Sequence, residues 1–136
     1  MDLMDTMAIS ASGMKAQSDR LRVVSENIAN AESVGTRPGE QPYRRKTITF
    51  ENHLDRETGA QLVDTGKIGF DNRTNFQRRY DPSHPAADAQ GYVEFPNVNP
   101  IAEMMDMREA RRGYEANLNV IESSKSMLSQ TMNLLR

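Results

Sequence analysis

Large apolar residues recur at every seventh position near both ends of this sequence. Near the start these residues are Met7, Met14, Leu21 and Ile28. Near the end they are Met107, Tyr114, Ile121, Leu128 and Leu135, with Leu118 beside them. Seven residues span two helical turns, so each set lies along one side of a helix. The sequence predicts two long helices paired as an antiparallel coiled coil, with these residues at the packing and subunit-interface positions.

A second line of mostly small residues accompanies the first stripe. It consists of Met4, Ala11, Ser18 and Ser25. Small side chains leave room for a neighbouring helix, so we expect the partner helix to approach along this line. The second helix carries further apolar residues that one partner does not cover, namely Ile101, Met105, Val120 and Met127. These residues predict contacts to other subunits.

The middle of the chain has a different composition. All six Pro lie between residues 38 and 100, whereas all nine Met lie outside that range. Seven of the eight aromatic residues and six of the eight Gly lie between residues 35 and 95. This composition is typical of turns and strands. We therefore expect an α+β chain with a helix over residues 1–33, a loop and small β-rich region over 34–99, and a helix over 100–136.

Alternation and turn residues predict four or five short strands in the middle region. The candidates are 43–50, 61–64, 67–70, 75–80 and 92–95. Thr65-Gly66 separates the second candidate from the third and predicts a tight hairpin, because glycine reaches positive φ cheaply. The edges of so small a β unit need covering.

The sequence contains few of the residues that enzymes use for catalysis. The chain has no Cys and two His, so disulfides, thiolate zinc sites and cysteine nucleophiles are excluded and no metal or cofactor is expected. His84, with Asp81, Asp88 and Glu94 nearby in sequence, is the best candidate for a catalytic group. Without a nucleophile or a second nearby His, the Asp-Pro and His-Pro pairs favour a turn.

Two short basic runs, 44–46 and 78–79, are interleaved with Tyr43, Phe76 and Tyr80. Such a mixture is found where proteins bind nucleic acid. The segment 32–99 nevertheless holds 9 Lys and Arg against 10 Asp and Glu, and the whole chain has a net charge of -2. Because nucleic-acid binding needs unopposed cations, we favour pairing between subunits over a nucleic-acid partner. No apolar stretch approaches the roughly 20 residues of a membrane span, so no membrane insertion is expected.

Several motifs resemble those of a known family. The run Asn27, Ile28, Ala29, Asn30 resembles the asparagine-rich motif of flagellar axial proteins. Further similarity lies in Tyr43, Arg44 and Arg45, in the turn 81–85, and in the run 91–99 with Pro96, Asn97 and Asn99. Together they resemble the flagellar basal-body proximal rod proteins of the FlgC type, over nearly the whole chain.

This resemblance implies a structural subunit of the rod, the drive shaft that carries torque from motor to hook, without enzymatic activity. It implies assembly with itself and other rod proteins in the periplasm. It also implies export by the flagellar type III apparatus without a cleavable signal peptide, in keeping with an acidic start that lacks an apolar h-region. The alternative is a cytoplasmic coiled-coil adaptor or assembly protein.

The asparagines of these motifs have two interpretations. Asn27 and Asn30 either hydrogen-bond across helices and to the connecting loop, or simply end the first helix. For Asn97 and Asn99 we favour capping of the second helix.

Overall fold

The computed structural model describes residues 3–134 and confirms the α+β class, with a long helix at each end. Helix α1 spans Leu3–Ala29 and helix α2 spans Pro100–Leu134. Six short strands lie between them: β1 Lys46–Thr47, β2 Phe50–Leu54, β3 Gln61–Thr65, β4 Gly69–Phe70, β5 Gln77–Tyr80 and β6 Tyr92–Phe95. They form three two-stranded antiparallel sheets, β1–β4, β2–β3 and β5–β6. Neither helix, over the described residues, is long and apolar enough to cross a membrane.

The residue contacts divide the chain into two units. Unit 1 holds α1 up to Leu21, the segment Thr49–Lys67 and α2 from Arg108. Unit 2 holds Arg22–Ile48 and Ile68–Met107. Each helix therefore contributes to both units.

In unit 1 the two helices pair antiparallel through small and polar residues. A Cβ added at Gly13 would lie 2.7 Å from the amide nitrogen of Asn117, and one added at Gly113 would lie 3.2 Å from the side chain of Gln17. The numbers in both pairs sum to 130, which is the signature of a constant antiparallel register. The helices approach closely here because glycine has no side chain.

This crossing corrects the predicted line of close approach. Met4, Ala11, Ser18 and Ser25 are all exposed. The buried positions of α1 are instead Ser10, Ala16, Val23, Val24 and Asn27. The prediction was wrong because small size alone does not identify the packed line: the helices approach at Gly13 and Gln17, and the buried residues of α1 include Val23 and Val24.

The β2–β3 hairpin of unit 1 packs on α1. The backbone N–H of Val63 donates to Ser12 Oγ at 3.1 Å, and the Thr65 hydroxyl donates to Asp19 Oδ2 at 3.1 Å. The turn is built on Asp55, whose carboxylate accepts from the backbone of Glu57 at 3.0 Å. This arrangement fixes β3 against the helix and leaves all five residues of β2 exposed.

The strand pairing differs from the predicted hairpin at Thr65-Gly66. Strand β3 pairs with β2, and β4 pairs with β1. The stretch expected to be one strand, residues 43–50, is divided between β1 and the start of β2. The reason is the turn over residues 55–60, in which Gly59 takes a φ of 70°. This turn connects β2 directly to β3, so the two strands pair with each other.

In unit 2 the β5–β6 hairpin has a buried face and an exposed face. Val93 is 1% exposed on the inner face. On the outer face the rings of Tyr80 and Tyr92 meet edge to face, with centroids 5.3 Å apart. Gly91, at a φ of 85°, immediately precedes β6 and lies close to the Tyr80 ring.

Candidate functional site

Polar groups meet in unit 2, in what we call the polar junction: the side chains of Asn27, Tyr43, Arg45, Asn97 and Glu103, the backbone of Lys46 and the backbone carbonyl of Asp71. Asn27 lies at its centre on the last turns of α1 and is 1% exposed. Its amide nitrogen donates to the Lys46 carbonyl at 2.9 Å and to Glu103 Oε2 at 3.1 Å. Its oxygen accepts from the Tyr43 hydroxyl and from the Lys46 N–H, both at 2.9 Å. The full hydrogen-bonding capacity of one buried amide is therefore used.

Glu103 brings a negative charge into the junction from the first turn of α2. Its side chain is 1% exposed and accepts a hydrogen bond from Arg45 Nε. A second carboxylate, Asp106, lies 3.8 Å from the same guanidinium. A buried charge needs an ionic partner and hydrogen bonds, and Glu103 has both.

Asn97 holds two loops together. Its oxygen accepts from the backbone N–H of Arg45 at 2.8 Å, and its nitrogen donates to the carbonyls of Asp71 and Thr74, both at 3.0 Å. The prediction that Asn97 caps α2 is therefore wrong, because its side chain is turned to these loops. Asn99 makes the cap instead, accepting from the N–H of Ile101 at 3.1 Å.

Charges at the rim of the junction are tuned by their neighbours. The Lys46 ammonium bonds Glu26 at 2.6 Å, which lowers the pKa of Glu26 and raises the pKa of Lys46. Burial raises the pKa of the Tyr43 phenol, so the hydroxyl stays protonated and continues to donate to Asn27. Hydrogen bonds from the hydroxyl and backbone of Thr74, and from the backbone of Arg73, lower the pKa of Asp71.

Known proteins resemble the chain over almost its whole length. The family model described as flagella basal body rod protein matches residues 7–35, and that described as flagellar basal body rod FlgEFG protein C-terminal matches residues 89–134. The flagellar basal-body rod protein FlgC of Agrobacterium fabrum is 52% identical over 128 residues, which covers 94% of this chain and 91% of that protein. FlgC of Salmonella typhimurium is 39% identical over 136 residues, and FlgC of Escherichia coli O157:H7 is 37% identical over 134, each covering 98% of both chains.

The chain belongs to the FlgC family of flagellar basal-body rod proteins. The resemblance seen in the sequence motifs is confirmed. The chain is a structural subunit of the basal-body rod.

The structure gathers part of the FlgC motif into the junction. Asn27, Tyr43, Arg45 and Asn97 meet there. Pro96, which directly precedes Asn97 in the sequence, is also buried. Asn30 lies outside the junction and donates to the Glu26 carbonyl at 2.8 Å, as expected of a residue that ends a helix. The remaining motif residues, Ile28, Ala29, Arg44 and Asn99, make no side-chain hydrogen bond to Asn27 or Asn97.

The sequence interpretation missed Glu103, Lys46 and Asp71 as members of the site. The seven-residue spacing of Glu103 from small residues further along α2 is a pattern that marks its side of the helix. The buried residues of α2 are Glu103, Ala110 and Ser124, which are seven and fourteen residues apart. A heptad line made of a carboxylate and small residues marks the packed side of this helix as clearly as the apolar line does.

The basic runs have partners within the chain. Arg44 stacks on Phe76 at 4.3 Å, and Arg79 stacks on Phe95 at 4.3 Å. Arg78 pairs with Asp88 at 2.7 Å. The sequence favours pairing of these cations between subunits, whereas the structure supplies an acceptor or an aromatic ring for each of them in the same chain.

His84 occupies a turn. Its Nδ1 accepts from the backbone N–H of Ala86 at 3.1 Å. Asp81 bonds the Ser83 hydroxyl at 2.6 Å, and Asp88 accepts from the backbone of Tyr92 at 2.8 Å. Each carboxylate thus has a local structural task. Over the described residues, no group of three or more His, Asp or Glu side chains has the arrangement of a metal site.

The predicted heptad residues of this FlgC protein flank the packed sides of the helices. Seven of them are half-buried: Met7, Met14, Leu21, Ile28, Met107, Tyr114 and Ile121. Leu118 and Leu128 are 37% and 41% exposed, and Leu135 lies outside the described residues. Their role at subunit interfaces stays a prediction.

Helix α2 also carries many uncovered apolar side chains. The four expected to lie outside a two-helix pairing are exposed: Ile101 by 72%, Met105 by 67%, Val120 by 41% and Met127 by 52%. Met132, near the end of the described chain, is 63% exposed. So much exposed apolar surface on one helix is typical of a protein-protein contact.

Proposed function

We propose that this FlgC protein carries torque within the rod by packing the exposed apolar side of α2 against neighbouring rod subunits. The observation that supports this role most strongly is the apolar exposure of α2 in a chain of this family. Met105 and Met127 alone expose 67% and 52% of their surface. Methionine is flexible and polarizable, so it adapts to the differing surfaces that several neighbours present.

The heptad residues extend the proposed contact surface along both helices. Half-buried residues such as Ile121 and Met14 contact their own chain on one side and leave the other side for a neighbour. Interdigitated helices resist torsion because close-packed side chains cannot slide past one another without loss of contact. The partners in this proposal are other copies of the chain and other rod proteins.

The polar junction is proposed to keep the middle region fixed to the helices under load. Asn27 joins α1 to α2 through Glu103 and to the segment after α1 through Lys46. Buried networks in which every group is bonded are rigid, because any displacement leaves a buried group without a partner. We assign this junction a mechanical role and no catalytic one.

The location and route of the protein are part of the proposal. We place the rod subunit in the periplasm, after export by the flagellar type III apparatus without a cleavable signal peptide. The alternative, a cytoplasmic coiled-coil adaptor, would share the helix pair. The FlgC relatives of 52% and 39% identity favour the rod.

The experiment is a deletion of the gene, complemented with a tagged copy, followed by purification of hook-basal bodies and mass spectrometry. We expect the deletion strain to lack hooks and the tagged protein to co-purify with the rod. An untagged complemented strain controls for non-specific capture. Flagella that assemble normally in the deletion strain, with the tagged protein in the cytoplasmic fraction, would establish the adaptor instead.

A further inference from the structure

The outer edge of β2 carries backbone groups that no strand of the described chain pairs. The β2–β3 ladder is extended by hydrogen bonds from Asp55 N to the Ala60 carbonyl and from Gly66 N to the Thr49 carbonyl. Hydrogen-bonded pairs alternate with non-bonded pairs along an antiparallel ladder. The pairs that include Phe50, Asn52 and Leu54 are therefore non-bonded ones, and their N–H and C=O groups point away from β3.

The same alternation is visible on the other side of the hairpin. Val63 is the partner of Asn52 in the ladder. Its N–H points away from β2 and donates to Ser12 Oγ on α1. The helix thus covers the outer edge of β3. The sheet has two strands within residues 3–134, so no third strand pairs with the outer edge of β2.

Strand β2 carries one acidic residue, Glu51, but lacks most of the features that usually protect an edge. It contains no Pro and no Lys, and all five of its residues are exposed. Phe50 is 41% and Leu54 is 55% exposed, and they lie on one face because residues two and four apart share a face. Glu51 and His53 lie on the opposite face.

The sequence of β2 is complementary to itself in the antiparallel direction. A two-fold axis through Asn52 places Phe50 of one copy opposite Leu54 of the other on one face. On the other face it places the Glu51 carboxylate, a hydrogen-bond acceptor, opposite the His53 imidazole, whose ring N–H is a donor. The outward backbone groups of Phe50, Asn52 and Leu54 then form the hydrogen-bonded pairs of the new ladder.

We propose that two copies of this chain associate through the β2 edge, forming a four-stranded antiparallel sheet in the order β3–β2–β2–β3. The occupant is a second copy because the Phe50–Leu54 pair and the Glu51–His53 pair both match when β2 meets β2 in this register. Each of these two pairs occurs twice across the two-fold axis, so the contact is isologous and closes at a dimer. This association is separate from the proposed packing of α2 in the rod.

The first test uses the absence of cysteine from the chain. In the proposed dimer the two Asn52 Cα atoms are about 5.5 Å apart, within the range that a disulfide spans. The purified Asn52→Cys protein should form a disulfide-linked dimer in oxidised glutathione about tenfold faster than Glu57→Cys, which places an exposed thiol in the hairpin turn. Both variants carry Leu128→Asp, which suppresses association through α2. Equal rates of cross-linking would overturn the proposal.

The second test exchanges the charges. Adding His53→Glu to Asn52→Cys places two carboxylates opposite each other on both sides of the axis, and the cross-linking rate should fall about tenfold. Adding Glu51→His as well restores complementary pairs and should recover most of the rate. Every substituted side chain is exposed, so the hairpin is retained. A rate that ignores His53→Glu, or that stays low after Glu51→His, would show that β2 does not meet β2 in this register.

Discussion

The side-chain amide of Asn27 donates a hydrogen bond to the carboxylate of Glu103 at 3.1 Å, and both side chains are 1% exposed. Asn27 lies near the end of α1 and Glu103 near the start of α2. The bond therefore joins the two helices at the ends to which the middle region is connected. A polar contact therefore occupies a position that an apolar residue would fill in an ordinary coiled coil.

Replacement of Asn27 by alanine should lower the free energy of unfolding by about 3 kcal/mol, because Tyr43, Lys46 and Glu103 each lose a buried partner. Asn30→Ala is the matched control within the same motif. It removes the bonds to the Glu26 carbonyl and the exposed Ser33 hydroxyl at the half-buried end of α1, and it should cost about 1 kcal/mol or less. Urea denaturation of the purified proteins measures both values. Equal losses would show that the junction is no more than a helix end.

Gly91→Ala should destabilise the chain more than Gly39→Ala. Both glycines have a positive φ, 85° and 84°, which costs an alanine about 1–2 kcal/mol. At Gly91 the added Cβ would also lie 2.9 Å from the Tyr80 ring, whereas at Gly39 nothing lies within 4 Å. Thermal unfolding of the two variants separates the steric effect from the backbone effect. A Tm as low for Gly39→Ala as for Gly91→Ala would show that the Tyr80 ring moves aside freely.

Acid should weaken the fold below about pH 4, the region in which unfolded Asp and Glu take up protons. Hydrogen bonds from Thr74 and Arg73 lower the pKa of Asp71 in the folded chain, so its stabilising effect is complete above the unfolded pKa and is lost as the pH falls through the folded one. The pKa values of other carboxyls are lowered in the same way, by Lys46 at Glu26 and by local hydrogen bonds at Glu40, Asp55, Asp81 and Asp88.

The Asp71→Asn variant isolates one of these groups, since the amide keeps an acceptor oxygen but carries no charge. The Tm difference between the native chain and Asp71→Asn should be largest near pH 7 and should shrink towards pH 3. Calorimetry across this pH range measures it. A difference that grows as the pH falls would show that the Asp71 charge does not stabilise the loop.

An aspartate introduced at Ile121 or Leu128 should abolish incorporation into the rod and with it motility, because it places a charge in a contact that excludes water. Ser126→Asp is the control, an exposed position about 200° around the helix from Leu128 whose neighbours three and four residues away are all polar. Swimming assays and quantification of the protein in basal bodies measure the outcome, with immunoblots to confirm equal synthesis. Normal swimming of the Leu128→Asp strain would remove that residue from the subunit contact.

The helices were predictable because their signal is local. Apolar residues at seven-residue intervals, such as Leu21 and Ile28, need only neighbouring turns to define a helix, and α1 ends at Ala29 near the motif that predicted its end. The pairing of strands was less predictable. Thr65-Gly66 has the composition of a hairpin turn. The hairpin forms instead at the turn beginning at Asp55, because the Asp55 carboxylate accepts a hydrogen bond from the backbone of Glu57.

The polar junction was predictable only in part. The motif singled out Asn27 and Asn97, yet no local pattern shows that a partner of Asn27 is 76 residues away. That contact forms only in the folded unit 2, which brings the last turns of α1 to the first turn of α2. Glu103 was missed since a carboxylate in the first turn of a helix is normally explained by the helix dipole.

The base of the β2–β3 hairpin is closed by a single backbone hydrogen bond, from Gly66 N to the Thr49 carbonyl at 2.8 Å. The chain therefore leaves for the hairpin and returns at nearly the same point, and the turn residues 56–58 are all exposed. A short epitope or a fluorophore-binding peptide grafted into this turn changes neither the length of a helix nor the spacing of the segments at the polar junction. The turn is thus a practical place for a label with which to follow the protein during flagellar growth.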